Sequence, residues 1–289
     1  MATVGSLIID ARRLFGDPDG EYISDTIGLE WMSVAQERFC EQVIPLDEIK
    51  DYALTARLQR YDIPDDCIEP VGVMWYKDIP SKLTFESPAE FDRIQSGWPL
   101  ANPGRPRFYT VFRRQVVLGP NSPAQTSATV IASGNFSSSA TTIGFVAASG
   151  ILRSRGWLKN NTSGEIVEYL SQATTQVTGC VRGQHNTSTA SVASAEQFSQ
   201  VDMQLTYRRV PTAFTATTAT PDIPQTYHRY LIMYFLYRAW LARGDAQKAQ
   251  VAYNEFSEME KSAIEKTGRR AIEPIGIKDR LGRARREGW

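Results

Sequence analysis

Apolar residues recur at helical spacing at both ends of the chain and give way to strand-like runs in its middle. Val4, Leu7, Ile8, Ala11, Leu14 and Phe15 fall on one face of a helix over residues 3–15, opened by Thr3 or Ser6. The breaker cluster Gly16-Asp17-Pro18-Asp19-Gly20 follows, and Ser24 or Asp25 caps a second helix over 25–42. Ile27, Leu29, Trp31, Met32, Ala35 and Phe39 form its apolar face. Pro45 ends that stretch, and a third helix is predicted over 46–60. The period then shortens. Cys67–Tyr76 reads as a strand, Ser87-Pro88-Ala89-Glu90 as the capped start of a short helix, and Arg107–Phe112 with Gln115–Leu118 as a hairpin turning at Arg113-Arg114. After a strand over 201–210 and a polar linker from Pro211 to Pro224, two long helices are predicted. The first, 225–243, is apolar nearly all round (Tyr230, Leu231, Tyr234, Phe235, Trp240), which marks a central core helix. Gly244 closes it. The second runs from Asp245 to Gly268 with Ala249, Ala252, Phe256 and Met259 on one face.

Composition divides this pattern. Residues 122–200 hold 34 Ser, Thr or Ala and seven charged residues, whereas the other 210 positions hold 57 charges. Short strand signals recur there at Thr129–Ile131, Thr142–Val146, Gly156–Lys159, Glu165–Leu170 and Gln176–Val181, with a turn at Asn160-Asn161-Thr162-Ser163-Gly164. A segment this rich in Ser and Thr is open to two readings, a disordered tether or a small β sandwich or barrel. Ile143, Phe145, Trp157, Ile166, Tyr169 and Val177 supply core material and favour the folded one. The expected class is α+β. A mainly helical domain, 1–121 with 201–267, has three N-terminal helices, a small β segment and two long C-terminal helices. An all-β insertion domain, 122–200, interrupts it, and an extended basic arm, 268–289, ends it.

Lysine and arginine balance aspartate and glutamate at 32 each, so no overall field selects nucleic acid or an anionic membrane. The end of the chain departs from that balance. From Gly268 to Trp289, seven basic residues stand against three acids. Ile272, Ile275, Ile277, Leu281 and Trp289 are spaced among Arg269, Arg270, Arg280, Arg283, Arg285 and Arg286. Three readings of this tail remain open: an arm that orders on a partner protein, a nucleic-acid contact, or a solvated tail. The apolar anchors favour the arm, because they suit a protein groove better than a phosphate backbone.

Cys40, Cys67 and Cys180 are odd in number and widely spaced, as expected of buried thiols in a reducing compartment. No secretory leader and no membrane span is expected. Neither CxxC, HExxH, GxSxG nor a Gly-rich phosphate loop occurs, so no catalytic residue, metal site or cofactor is expected. Asp17-Pro18-Asp19-Gly20 lacks the further acids of a calcium loop and reads as a plain turn. The two histidines, His185 and His228, read as surface or packing residues, and Trp157 and Tyr169 as core rather than a sugar platform. An enzyme with the insert as a carbohydrate-binding or cell-wall-degrading module is the least favoured of the functional classes.

With 1–121 and 201–289 taken as one unit, an ordered set of short motifs emerges. It runs Val4-Gly5-Ser6-Leu7-Ile8-Ile9-Asp10-Ala11-Arg12-Arg13-Leu14-Phe15-Gly16-Asp17, Ile63-Pro64-Asp65-Asp66, Leu205-Thr206-Tyr207-Arg208-Arg209-Val210-Pro211, Ile223-Pro224-Gln225-Thr226-Tyr227-His228, and Gly244-Asp245-Ala246-Gln247-Lys248-Ala249. This resembles the head-to-tail adaptor (connector) proteins of tailed bacteriophages. Within the insert, Gly164-Glu165-Ile166-Val167-Glu168-Tyr169, then Val177-Thr178-Gly179-Cys180-Val181-Arg182-Gly183, Thr187 and Ala190, is similar to a small β module of phage structural proteins. That module usually carries a histidine where Val192-Ala193 stand here.

The resemblance implies a structural virion protein located in the neck and assembled in the host cytoplasm. It implies a ring, commonly of twelve copies, that sits under the portal, extends the DNA channel and docks tail components. Its partners would be the portal, tail or nozzle proteins, other copies of itself and, in passing, genomic DNA, with no membrane. The portal-docking role falls on Arg269, Arg270, Ile272, Ile275, Ile277, Arg280, Leu281, Arg283, Arg285, Arg286 and Trp289. The alternative is a nucleic-acid-binding protein acting through the same tail.

Overall fold

The structure, a computed structural model, describes residues 2–77, 80–94, 103–149, 152–185 and 187–267. The chain divides into two compact units, one of Met1–Leu46 with the chain from Val210 on, the other of Asp47–Arg209.

The first unit is helical. Its helices are α1 (Val4–Phe15), α2 (Asp25–Gln42), α4 (His228–Arg243) and α5 (Ala246–Thr267). The expected caps form. Thr3 Oγ1 accepts from Ser6 N and Ser24 Oγ from Ile27 N, while Gly16 and Gly244 close α1 and α4 in the left-handed region at φ 87° and 81°. The linker after Val210 also serves α1. Thr217 and Ala219 carbonyls accept from Gly5 N and Val4 N at 2.8 and 2.9 Å, which satisfies donors that a helix start leaves open. Gln36 and Ser33 of α2 hold the linker itself, through Thr212, Asp222 and Phe214. The core of this unit is apolar and aromatic, with Ile8, Met32, Phe39, Leu231, Phe235 and Phe256 all buried.

The second unit is built mostly of strands. One sheet has the order β1 (Leu46–Tyr52), β18 (Met203–Arg209), β3 (Cys67–Trp75), β4 (Ser81–Lys82). A second has the order β2 (Arg60–Asp62), β8 (Gln115–Gly119), β7 (Phe108–Phe112), β5 (Thr84–Phe85), with α3 (Pro88–Ile94) lying between β5 and β7 in the chain. Val73, Trp75, Met203 and Leu205 of the first sheet share one buried cluster with Tyr61, Tyr109, Val116 and Leu118 of the second. The short strands β6 (Pro103–Gly104) and β9 (Ser122–Pro123) pair in parallel.

The remaining strands form an eight-stranded sheet, each paired neighbour antiparallel. Its order is β14 (Ser171–Ala173), β15 (Gln176–Thr178), β11 (Thr142–Ser149), β10 (Thr129–Ala132), β17 (Gln197–Gln200), β12 (Gly156–Asn160), β13 (Ile166–Tyr169), β16 (Val181–Gln184). Val130, Ile143, Leu158, Val167, Tyr169, Val177 and Phe198 are buried beneath it.

The expected fold class is therefore corrected. Among the described residues there are five α-helices and eighteen strands in four sheets, and nine of those strands, β1–β8 and β18, come from outside 122–200. The protein is not a mainly helical domain with a small β segment and one β insertion. The third N-terminal helix over 46–60 does not form. Its residues make edge strand β1, a loop and the start of β2. Leu46, Ile49 and Tyr52 mimic helical spacing, but β1 pairs with β18, and Asp202 N donates to the Tyr52 carbonyl at 3.1 Å. Pairing with a distant strand overrides the local preference.

Candidate assembly surfaces

The motif residues of the 122–200 segment converge on one carboxylate. Asn160 Oδ1 accepts from Thr162 N and Ser163 N at 2.8 and 3.2 Å, and Gly164 turns at φ 75°, which delivers Glu165 to the start of β13. Glu165 is buried. Arg182 grips it with Nε at 2.7 Å and a terminal nitrogen at 2.5 Å, and Gly183 N and Ala190 N each donate to it at 3.1 Å. Arg182 also donates to the Ser137 and Ala190 carbonyls at 2.9 and 2.6 Å. Thr187 Oγ1 accepts from Ile166 N and donates to the Gln184 carbonyl. A Cβ on Gly183, at φ 64°, would come within 2.9 Å of the Thr187 carbonyl oxygen, so glycine is required there. Both carboxylate oxygens and all three guanidinium nitrogens of this knot are engaged, so it acts as the brace of the sheet.

Two further clusters fasten that sheet to the rest of its unit. Asp202, next to β18 and buried, accepts from Ser127 Oγ at 2.6 Å and pairs with Lys77 and Arg153 at 3.4 Å each. Arg153 also donates to the Tyr76 carbonyl at 2.7 Å and to the Val201 carbonyl. Asp51 of β1 accepts from Gln204 Nε2 at 2.8 Å and lies 3.0 Å from His185 Nδ1, beside the Trp157 ring. Sequence reasoning passed over Asp51, Asp202 and Gln204. A signal existed at Asp202, a lone charge between Val201 and Met203 in an apolar strand, which calls for a buried partner. His185 is thus a half-buried tie between two sheets. His228 is buried, with Nε2 3.2 Å from the Ile223 carbonyl.

In the helical unit, a cleft of about 450 Å³ runs along α5, lined among others by Arg38, Gln42, Tyr253, Glu258, Lys261 and Ile264. Arg38 pairs with the buried Glu260 at 3.3 Å and lies 5.2 Å over the Phe256 ring. Burial beside Glu260 pushes the Tyr230 hydroxyl up. α5 ends at Thr267, where the predicted docking arm would begin. Arg269, Arg270, Ile272, Ile275, Ile277, Arg280, Leu281, Arg283, Arg285, Arg286 and Trp289 all lie outside the described residues.

The unit Asp47–Arg209 carries a second and larger hollow, a basic groove of about 780 Å³ lined by Lys50, Arg60, Arg113 and Arg114 with Asp62 and Asp65. Among the described residues no group of three His, Cys, Asp or Glu side chains could hold a metal ion, and no helix is long and apolar enough to cross a membrane. A family model described as "SU10 adaptor protein" matches residues 2–277. No curated protein matches the chain.

Proposed function

This chain belongs to the SU10 adaptor protein family, a phage head-to-tail adaptor family, and we propose that it works as a ring-forming adaptor of the virion neck. In this reading about twelve copies close under the portal, extend the DNA channel and present a surface to tail components, because heterologous contacts repeated around a rotation axis close into a ring. The observation that carries the reading is the family match, which spans nearly the whole chain and both compact units. Contacts that are individually modest become strong once closure makes them cooperative.

The arm 268–289 is the proposed portal-docking element, with its isoleucines, Leu281 and Trp289 as anchors and its arginines as the polar rim. Residues 122–200 are proposed as an outward-facing module between two strands of the adaptor domain, available to other neck or tail proteins. The test is binding of purified portal by the full chain and by a chain ending at Thr267. The full chain is expected to be monomeric by light scattering until portal is added. The truncated chain should keep its circular dichroism and lose portal binding. Undiminished portal binding by the truncated chain would sink the arm. Failure of the full chain to bind portal at all would sink the adaptor role.

A further inference from the structure

The basic groove lies where β2 meets the turn between β7 and β8, and its geometry points to a ligand. Four cations line it against two acids, a local excess of two positive charges (4 − 2) in a chain whose charges otherwise cancel. Asp62 is hydrogen-bonded, and Asp65 stands exposed beside Arg114. Gln115 Nε2 donates to Asp62 Oδ1 at 2.8 Å, and Arg114 lies 3.5 Å from Asp65 while donating to the Pro64 and Asp65 carbonyls. Among the described residues the side chains of Lys50 and Arg113 carry no hydrogen bond or ion pair; Arg113 rests 5.3 Å over its neighbour Phe112.

The backbone adds a second observation. Phe112 and Gln115 are paired, so Arg113-Arg114 is a two-residue hairpin loop, and both arginines sit in the left-handed region at φ 49° and 60°. That turn favours Asn-Gly, because a side chain at positive φ crowds its own carbonyl. Arg57, next to the groove residue Leu58, is held at φ 64° as well. Three of the five non-glycine residues at positive φ among the described residues are therefore arginines in or beside one groove. Strain of this kind persists where a function needs the side chain.

We propose that this groove binds the phosphodiester backbone of nucleic acid through Lys50, Arg60, Arg113 and Arg114. Guanidinium forks match phosphate oxygens, and among the described residues the side-chain donors of Lys50 and Arg113 are unused. A phosphate backbone brings acceptors and no donors. An acidic protein segment brings N–H donors as well, for which the groove holds only two acids against four cations. The contact reads charge alone, so it is independent of sequence and steeply dependent on salt. The proposal deepens the adaptor reading, on which it rests for its role, by naming the surface that the genome touches.

The test is fluorescence anisotropy of the full chain with a short random-sequence DNA duplex across a salt series. Binding is expected at low salt, with a dissociation constant on the order of 10⁻⁴–10⁻⁶ M near physiological salt. Changing Lys50→Gln with Arg113→Gln should lower the slope of log affinity against log salt by about 2, one for each lost phosphate contact. A control that neutralises Arg283, Arg285 and Arg286 should keep the slope. Arg113→Asn gives the first turn position a residue it favours and leaves the Arg114 bonds in place, so that variant should melt no lower and still bind DNA less well, which a purely structural role for Arg113 does not allow. Absence of DNA binding by the full chain at low salt, or a slope unchanged in the groove variant, overturns the proposal. So does loss of portal or tail-protein binding with DNA binding intact, which reassigns the groove to an acidic protein segment. None of the DNA measurements uses portal, so failure of the groove leaves the adaptor role standing, and failure to bind portal leaves the groove standing.

Discussion

In the helical unit the most deeply buried side chains are apolar, Ile8, Met32, Phe39, Leu231, Phe235 and Phe256 among them, with Gln36 the one polar side chain as deep among the described residues, whereas in the β unit Asn160, Glu165, Gln200 and Asp202 are all buried as deeply. The contrast follows from what each unit has to pack with. Helices α2, α4 and α5 bring wide apolar faces together, and close packing of those faces specifies the arrangement. The segment 122–200 is made largely of Ser, Thr and Ala, which fill little volume, so apolar packing alone leaves strand register underdetermined. Its few charges do that work. Of the seven charged residues there, Arg153, Arg155, Glu165, Glu168, Arg182 and Glu196 each make a named bond inside the unit. A stretch poor in charge is therefore the one most dependent on charge for its structure.

Alkaline pH should separate the units most. Burial pushes up the hydroxyls of Tyr52, Tyr61, Tyr76, Tyr109, Tyr169 and Tyr207 and the thiols of Cys67 and Cys180, with Tyr61 and Tyr169 at about 12 and Cys180 at about 11. All eight lie in the β unit, whereas among the described residues of the helical unit Tyr230 is the one hydroxyl pushed up. The folded state keeps these protons to higher pH than the unfolded chain, which releases them from about pH 9–10 upward. From there the unfolded state binds fewer protons, so stability present below that range is lost as pH rises through the folded values. The strand signal in circular dichroism should vanish cooperatively with the appearance of tyrosinate absorbance, while the helical band persists. If the helical band goes first, the comparison is broken.

Glu165→Ala is the next largest effect. It leaves the Arg182 guanidinium buried without its carboxylate and strips Gly183 N and Ala190 N of their acceptor, at a cost of about 3–5 kcal/mol in urea unfolding. The buried Cys180 thiol, in the same apolar cluster, should then become reactive while Cys40 of α2 stays protected. Glu165→Leu combined with Arg182→Met should recover part of the loss, since an apolar pair of similar volume strands no charge, while Gly183 N and Ala190 N stay without their acceptor. A cost below about 1 kcal/mol for Glu165→Ala would show that small-residue packing holds the sheet after all.

Legibility in the sequence follows the range of the interactions. α1, α2, α4 and α5 could be read because their signals lie within a few residues: the 3.6-residue period, Thr3 and Ser24 before the start, Gly16 and Gly244 after the end. β1 could not. Its buried residue is Asp51, whose partners His185 and Gln204 stand 134 and 153 positions away. Leu83–Glu86 suggested the short strand β5, but β4 and β6 are two residues long, too short to show a period, and with β1 and the start of β2 taken as helix the β content looked small. The knot was visible as a motif around Glu165 and Arg182, but its bonds were not. The groove was half visible. The hairpin at Arg113-Arg114 could be placed, while the left-handed backbone that marks it as strained contradicts what its residues prefer. The proposed arm lies outside the described residues and rests on the sequence and the family resemblance.

The smallest effect sharpens the comparison from the helical side. Ser24 Oγ accepts from Ile27 N at 3.4 Å and is the only side-chain cap at the start of α2 among the described residues. Ser24→Ala should cost about 1 kcal/mol, because the first-turn N–H groups lose an acceptor that water replaces only in part. The loss should appear as faster hydrogen exchange confined to the first turns of α2, with exchange in β13 and β16 unchanged. A local cap can fail locally, since the apolar faces of α2 and α4 hold the remainder of the helix in place. Glu165 has no such fallback, because its four bonds join β13, β16 and the Ala190 loop at one atom pair. If Ser24→Ala instead destabilises the whole helical unit as much as Glu165→Ala does the β unit, packing is not what holds the helices, and the contrast between the two units disappears.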